Sequence, residues 1–238
     1  MDPFERFYPY VEAGIPGLPE PVLRRAIRDA SIEVMAETGF IRAYLPAAVN
    51  LVLNQNVYTI QSPQPDTQIC DIERMVDGTG NSIGKRERDW IENRYKTWEV
   101  DIGAQALFFF ITEIADAGTT FQIYPIPNAA STPTNLTALT IRCTLCPTDV
   151  ARYLPPDAYH LMRQTIKSAA LRELFGLDSM NWHNEQAAAK HAAIALKGKQ
   201  DLRVQREFGW GKTVPVVQTG ALGMWDNFDS AGGGSNGW

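Results

Sequence analysis

Cys143 and Cys146 stand three residues apart in TALTIRCTLCP, the spacing of a thiol–disulfide redox pair and of half a zinc site. A redox pair needs its first thiolate at a helix N-terminus, where the dipole lowers the thiol pKa. This run alternates like a strand, with Leu139, Ile141, Cys143 and Leu145 on one side and Thr140, Arg142, Thr144 and Cys146 on the other. On a strand the two thiols point to opposite faces. A zinc site needs two further ligands, and Cys70 with one of His160, His183 or His191 is the set that remains. Three cysteines are an odd count for a disulfide framework, so reduced, buried thiols are expected, with a zinc or thiol enzyme as the alternative.

The other chemistry-bearing patterns are incomplete. GTGNSIGK, residues 78–85, has the look of a phosphate loop, but Thr79 stands where a Walker loop needs glycine and Arg86 where it needs Ser or Thr. It follows an Asp77-Gly78 turn and reads as a hairpin loop. His183 and Glu185 form an H-x-E pair like that of zinc deaminases, in which the cysteines follow the histidine; here they precede it. No G-x-S-x-G elbow occurs, and Asp71 and Glu73 read as the solvated edge of a strand. The expectation is a protein with no catalytic residues, metal or cofactor.

A net charge of -5 over 238 residues disfavours an electrostatic grip on nucleic acid, which needs clustered Lys and Arg. An acidic or neutral wall is still compatible with a conduit past which a polyanion slides. No apolar run reaches the roughly 18 residues of a spanning helix, and MDPFERFYPY lacks the basic flank and apolar stretch of a signal peptide, so cytoplasmic synthesis and no membrane partner are expected.

The elements that would position these residues divide into four blocks. Residues 1–47 hold a lead-in and one amphipathic helix, PEPVLRRAIRDASIEVMAET, with Pro19 and Pro21 at its start, Leu23, Ala26, Ile27, Ala30 and Val34 at helical spacing, and Gly39 past its end. Residues 48–150 read as an inserted antiparallel β domain, interrupted by a short helix in KRERDWIENRYKTWEVD. Residues 151–207 hold two helices, the first with Leu161, Met162, Ile166, Ala169, Ala170 and Leu174 on one side, the second with a small-residue face of Ala188, His191, Ala195 and Gly198. Residues 208–238 are glycine-rich and read as an extended arm. The fold class is α+β: a helical bundle of the N-terminal helix and the two C-terminal ones, an inserted antiparallel β domain, and a C-terminal arm.

Segment order and several short patterns carry a family resemblance. FYPYVEAGIPGLPEPVLRRAIRDASIEVMAET resembles the opening of the head-to-tail adaptor (connector) proteins of tailed bacteriophages, TTFQIYPIPNA with LTIRCTLCP is similar to their strand pair, and LPPDAYHLMRQTIKSAALRELFG with MNWHNEQAAAKHAAIALKGKQDLRVQREFGWG looks like their closing helices. The resemblance covers roughly residues 7–212. It implies a structural virion protein at the neck, assembled as a ring, generally dodecameric, below the portal. Its partners would be the portal protein, tail or nozzle proteins and further copies of itself, with DNA passing through the channel unbound. Arg24, Arg25 and Arg28 on the first helix, with Glu185 and Lys190 near the last, are the expected ring contacts. Another neck or tail-completion protein is the alternative within the same class.

The chain closes on GMWDNFDSAGGGSNGW, aromatic residues spaced among glycines with no period that would bury them together. The resemblance implies an arm docked on the portal, with Met224, Trp225, Phe228 and Trp238 as anchors; a tail folded back on its own domain, or a disordered one, is the other reading.

Overall fold

The structure is a computed structural model that describes residues 2–46, 49–103, 105–128, 138–155, 158–178, 180–210 and 212–213. Five α-helices occur among these residues: α1 (Tyr8–Glu12), α2 (Glu20–Thr38), α3 (Arg88–Arg94), α4 (Ala158–Phe175) and α5 (Glu185–Gln205). Local chemistry explains their limits. Pro21 lies in the first turn of α2, where no intrahelical donor is needed, and Gly39 ends the helix at φ 57°, its N–H returning to the Met35 carbonyl. Asn184 caps α5 by accepting a hydrogen bond from the Ala187 N–H at 2.9 Å. In α4 the inward side is Met162, Ile166, Ala169, Ala170 and Leu174, all buried, whereas Leu161 is 45% exposed and does not belong to it.

The strands are β1 (Asp2–Pro3), β2 (Ile41–Tyr44), β3 (Val49–Asn50), β4 (Val57–Ile60), β5 (Thr67–Val76), β6 (Ser82–Lys85), β7 (Ile102–Gly103), β8 (Phe108–Ala115), β9 (Gly118–Tyr124), β10 (Ile126–Pro127), β11 (Ala138–Pro147), β12 (Tyr153–Leu154) and β13 (Lys212–Thr213). Nine of them form one curled, mostly antiparallel sheet in the order β13-β2-β11-β5-β6-β8-β9-β4, with β3 beside the start of β11. The parallel joints are β13 with β2 and β6 with β8. The expectation of a mixed α+β chain is met. The sheet draws on residues to either side of 48–150, namely Ile41–Tyr44 and Lys212–Thr213.

One continuous apolar cluster joins helices to sheet. Leu139, Ile141, Cys143 and Leu145 of β11 are fully buried, in the same cluster as Leu23, Ile27, Ala30 and Val34 of α2 and Ile166 and Ala169 of α4. The alternation read in β11 therefore marks its core face. A second, smaller cluster of Ile91, Trp98, Phe110 and Tyr124 lies around α3 and the β8–β9 hairpin.

The ladder between β5 and β11 slips twice. Arg142 pairs with Arg74 but Cys143 with Ile72, and Thr144 pairs with Asp71 but Leu145 with Ile69. Glu73 and Cys70 are the residues skipped. Each sits at a β-bulge, the device that adds one residue to a strand, increases its twist and re-aims a side chain.

Candidate functional site

Both bulge residues carry chemistry. Cys70 is bonded to Cys146 in a disulfide, with the Cα atoms 6.1 Å apart. The expectation of three reduced thiols is corrected accordingly: Cys70, the residue skipped at the second bulge, is bonded diagonally across the ladder to Cys146, whose direct partner in the register is Gln68. Cys143, on the core face, remains a buried free thiol within 3.4 Å of the Ala43 carbonyl. Burial, reinforced by the nearby Glu73 carboxylate, pushes its pKa up to about 12, so it carries no thiolate near neutral pH.

The histidines are scattered. His160 meets the Tyr159 ring edge-on, His183 Nδ1 lies 3.4 Å from Asp178 Oδ1, and His191 stacks on Phe175 with ring centroids 5.8 Å apart. Among the described residues no group of three or more His, Cys, Asp or Glu side chains could hold a metal. GTGNSIGK lies in the β5–β6 hairpin: Met75 pairs with Ile83 and Val76 with Ser82, while the Asp77 carboxylate accepts from the N–H groups of Thr79 and Asn81, each at 2.9 Å. Its loop is closed by its own aspartate.

Glu73 is not a solvated edge residue. Its side chain is 5% exposed and three guanidinium groups surround it: Arg42 Nε and Arg142 Nε each lie 3.2 Å from Oε2, and an Arg206 terminal nitrogen lies 2.5 Å from Oε1. The group spans three neighbouring strands and the π-helical turn Arg206–Trp210 that follows α5. Burial pulls the Arg42 pKa below the usual arginine value, against the opposing pull of Glu73. Arg206 also donates to the Thr38 carbonyl at 3.1 Å and passes directly over Gly39, where any Cβ would collide with its guanidinium. Glycine is favoured there by the left-handed turn, and its missing Cβ leaves room for the Arg206 guanidinium.

A second ionic network crosses the helices. Arg172 of α4 forms a two-pronged pair with Glu33 of α2, at 2.8 and 2.5 Å. Lys199 of α5, buried, reaches Glu33 at 2.5 Å and Glu37 at 2.9 Å, and Arg203 lies 3.4 Å from Glu37. The Arg172 hydrogen bond, opposed by burial and assisted by Lys199, holds the Glu33 carboxyl down at about 2.

The residues expected to make ring contacts fall into two groups. On α2, Arg24 is engaged by Glu20 at 2.8 Å, Glu5 at 3.3 Å and the Tyr8 hydroxyl at 3.0 Å, while Arg25 and Arg28 both face Asp29. On α5, Glu185 and Lys190 are exposed and have no ion-pair partner among the described residues. Because Glu33 and Glu37 meet Lys199 and Arg203 in the same order along their helices, α2 and α5 run parallel where they are cross-linked. Both groups therefore lie towards the N-terminal ends of their helices. Leu196 and Val204 of α5, Leu161 of α4 and Phe208 are exposed apolar side chains on the helical part of the molecule.

Met224, Trp225, Phe228 and Trp238 lie outside the described residues. What is described is the place from which that segment starts: Lys212 pairs with Ile41 and Thr213 with Arg42, parallel to the edge strand β2 and next to the Arg206–Glu73 contact. No helix among the described residues is long and apolar enough to cross a membrane.

Sequence reasoning missed the Glu73 and Glu33 networks, the disulfide, and a group of aromatic and arginine side chains around Trp90. A tryptophan set among charges in KRERDWIENRYKTW was the available signal for the last. No family model matches this chain, and no curated protein matches it.

Proposed function

We propose that the protein is a head-to-tail adaptor of a tailed bacteriophage virion, in which α2, α4 and α5 form the oligomerising bundle and the segment after Thr213 docks on the portal. The observation that carries this reading is the tethering of the C-terminal chain: Arg206 on Glu73 and β13 on β2 fix where it leaves the body. An arm that is to engage a partner at a set distance needs such a fixed origin, since each loose residue before the anchor adds ordering cost, about 1 kcal/mol of backbone entropy.

Two further features support it. Ion pairs tie α2 to α4 and to α5, and the exposed Leu161, Leu196, Val204 and Phe208 offer apolar area that a neighbouring copy would cover. A ring also lets weak arms act together, so that anchors worth on the order of 2 kcal/mol each suffice.

The test is binding of the purified protein to its cognate portal ring, full-length against a chain ending at Lys212. Loss of binding on truncation supports the adaptor reading with a docking arm. Equal binding removes the role given to the arm, and no binding by either chain removes the adaptor reading.

A further inference from the structure

The neighbourhood of α3 holds a second surface of distinct chemistry. Trp90 is 38% exposed, in a segment rich in charged side chains. Phe108 holds it edge-on at 5.2 Å between ring centroids and Tyr95 at 6.3 Å, above the buried Ile91, Trp98, Phe110 and Tyr124. Two guanidinium groups lie against the same indole: Arg86 Cζ is 5.0 Å from its centroid and Arg94 Cζ 5.7 Å. Arg86 is held in place, its backbone N–H donating to Phe109 and its guanidinium to the Lys85 carbonyl, at 2.9 and 3.0 Å. A depression of about 470 Å³ opens among Lys85, Arg86, Glu87 and Trp90.

The charges around this depression are unevenly satisfied. Residues 85–101 carry five Lys or Arg and five Asp or Glu, so the segment is neutral. Lys85 pairs with Asp71, and Arg88 with Glu92 at 2.6 Å. Arg86 and Arg94, the two beside Trp90, have no carboxylate partner among the described residues. A guanidinium lying over a ring keeps in-plane N–H groups for acceptors; Arg86 spends Nη1 on the Lys85 carbonyl, which leaves the Nε–Nη2 edge of its fork for a carboxylate on two bonds.

The geometry points to a docking site for an acidic segment of a partner protein, with carboxylates received by Arg86 and Arg94 and a neighbouring apolar side chain laid on Trp90. Arg86, held through its backbone and its guanidinium, loses little rotamer freedom on binding, and Trp with Arg is the pairing that concentrates binding energy at protein interfaces. A polynucleotide is the poorer fit: it needs a run of uncompensated cations, and here two guanidiniums stand in a neutral segment of a chain with net charge -5. This site does not depend on the portal-docking reading; either can fail alone.

The test uses the full-length protein and fluorescence anisotropy with three labelled probes: a peptide of about a dozen residues rich in Glu and Asp around one central Phe, the same peptide with Gln and Asn in place of the acids, and single-stranded oligothymidylate of equal length. The acidic peptide should bind at least about tenfold more tightly than its amide counterpart, and the Arg86→Gln/Arg94→Gln double variant should remove that advantage. Melting of the variant, and an Arg86→Lys/Arg94→Lys version that keeps the charge, separate loss of contact from loss of fold. If the variants do not fold, the acid-against-amide comparison on the unaltered protein still decides. Equal binding of the two peptides, no binding of the acidic one, an unchanged double variant, or tighter binding of the oligonucleotide each overturns the proposal.

Discussion

Glu73 and Arg206 meet at 2.5 Å, joining a bulge in the middle of β5 to the turn that closes the last helix. Arg42 and Arg142 complete the group, so three positive charges rest on one nearly buried carboxylate. Removing the carboxylate alone strands the arginines. Glu73→Gln is expected to cost about 3 kcal/mol in urea unfolding, as breaking a buried ion pair from one side does. Amide hydrogen exchange over residues 206–213 should rise in the same variant; unchanged stability and exchange would show that the cluster fastens nothing.

The pairing of Glu33 with Arg172 and Lys199 makes stability depend on pH in a set direction. Its folded pKa, about 2, lies below the unfolded value of roughly 4.3, so the contribution is complete above that unfolded value and is lost as pH falls towards 2. With allowance for partial exposure, about 2 kcal/mol is at stake. Glu33→Gln should flatten this part of the acid-unfolding profile, and an unaltered profile would assign acid sensitivity to other groups.

Gly198 faces Thr165 where α5 crosses α4. A Cβ at position 198 would collide with the Thr165 hydroxyl and lie 3.0 Å from its methyl group. Alanine gains about 1 kcal/mol of helix propensity, but crowding a stiff, β-branched neighbour costs about 1 to 3 kcal/mol. Gly198→Ala should therefore lower the melting temperature, and adding Thr165→Ala should restore it. A stabilising single variant would mean that the helices can separate freely at this point.

Thiol counting distinguishes the cysteines. In the native, unreduced protein no thiol should react with an alkylating agent near pH 7; unfolding should expose Cys143 alone, and unfolding with reduction all three. The Cys70–Cys146 bond closes a long loop, with a sequence separation of 76 residues, so Cys70→Ser with Cys146→Ser should cost about 2 to 4 kcal/mol. Three reactive thiols on unfolding without reduction would be incompatible with the bond.

Much of the fold was legible because its signals are local. Pro19, Pro21 and Gly39 bound α2, Asn184 opens α5, and the alternation of Leu139 to Leu145 names the core face of β11. The burial of Glu73 was not legible because bulges break the parity on which strand reading rests: once Glu73 and Cys70 are skipped, odd and even positions no longer map to fixed faces, whereas Asp71 keeps the part-exposed setting read for it. Glu33, Arg172 and Lys199 were visible only as parts of mixed-charge helix faces, and nothing local selects partners separated by 139 and 166 residues. The Trp90 surface depends on Phe108, from a strand whose neighbour β6 runs parallel to it, a pairing that sequence alternation cannot specify.

The sheet also has a mechanical character. Its two halves are joined through β6, which holds β5 by two residue pairs and β8 by two more, whereas β5 and β11 are zipped along eight. The strand-to-strand hydrogen bonding between the halves passes through this narrow waist, supplemented by the buried bond from the Thr119 hydroxyl of β9 to the Ile69 carbonyl of β5, at 2.9 Å, and by Phe109, Phe121 and Ile123 in the shared apolar cluster. Pulled from that end, the molecule would yield first at β6 and Thr119, leaving the helices and the β2–β11–β5 strands intact, like a fuse placed between a rigid body and whatever tugs on it.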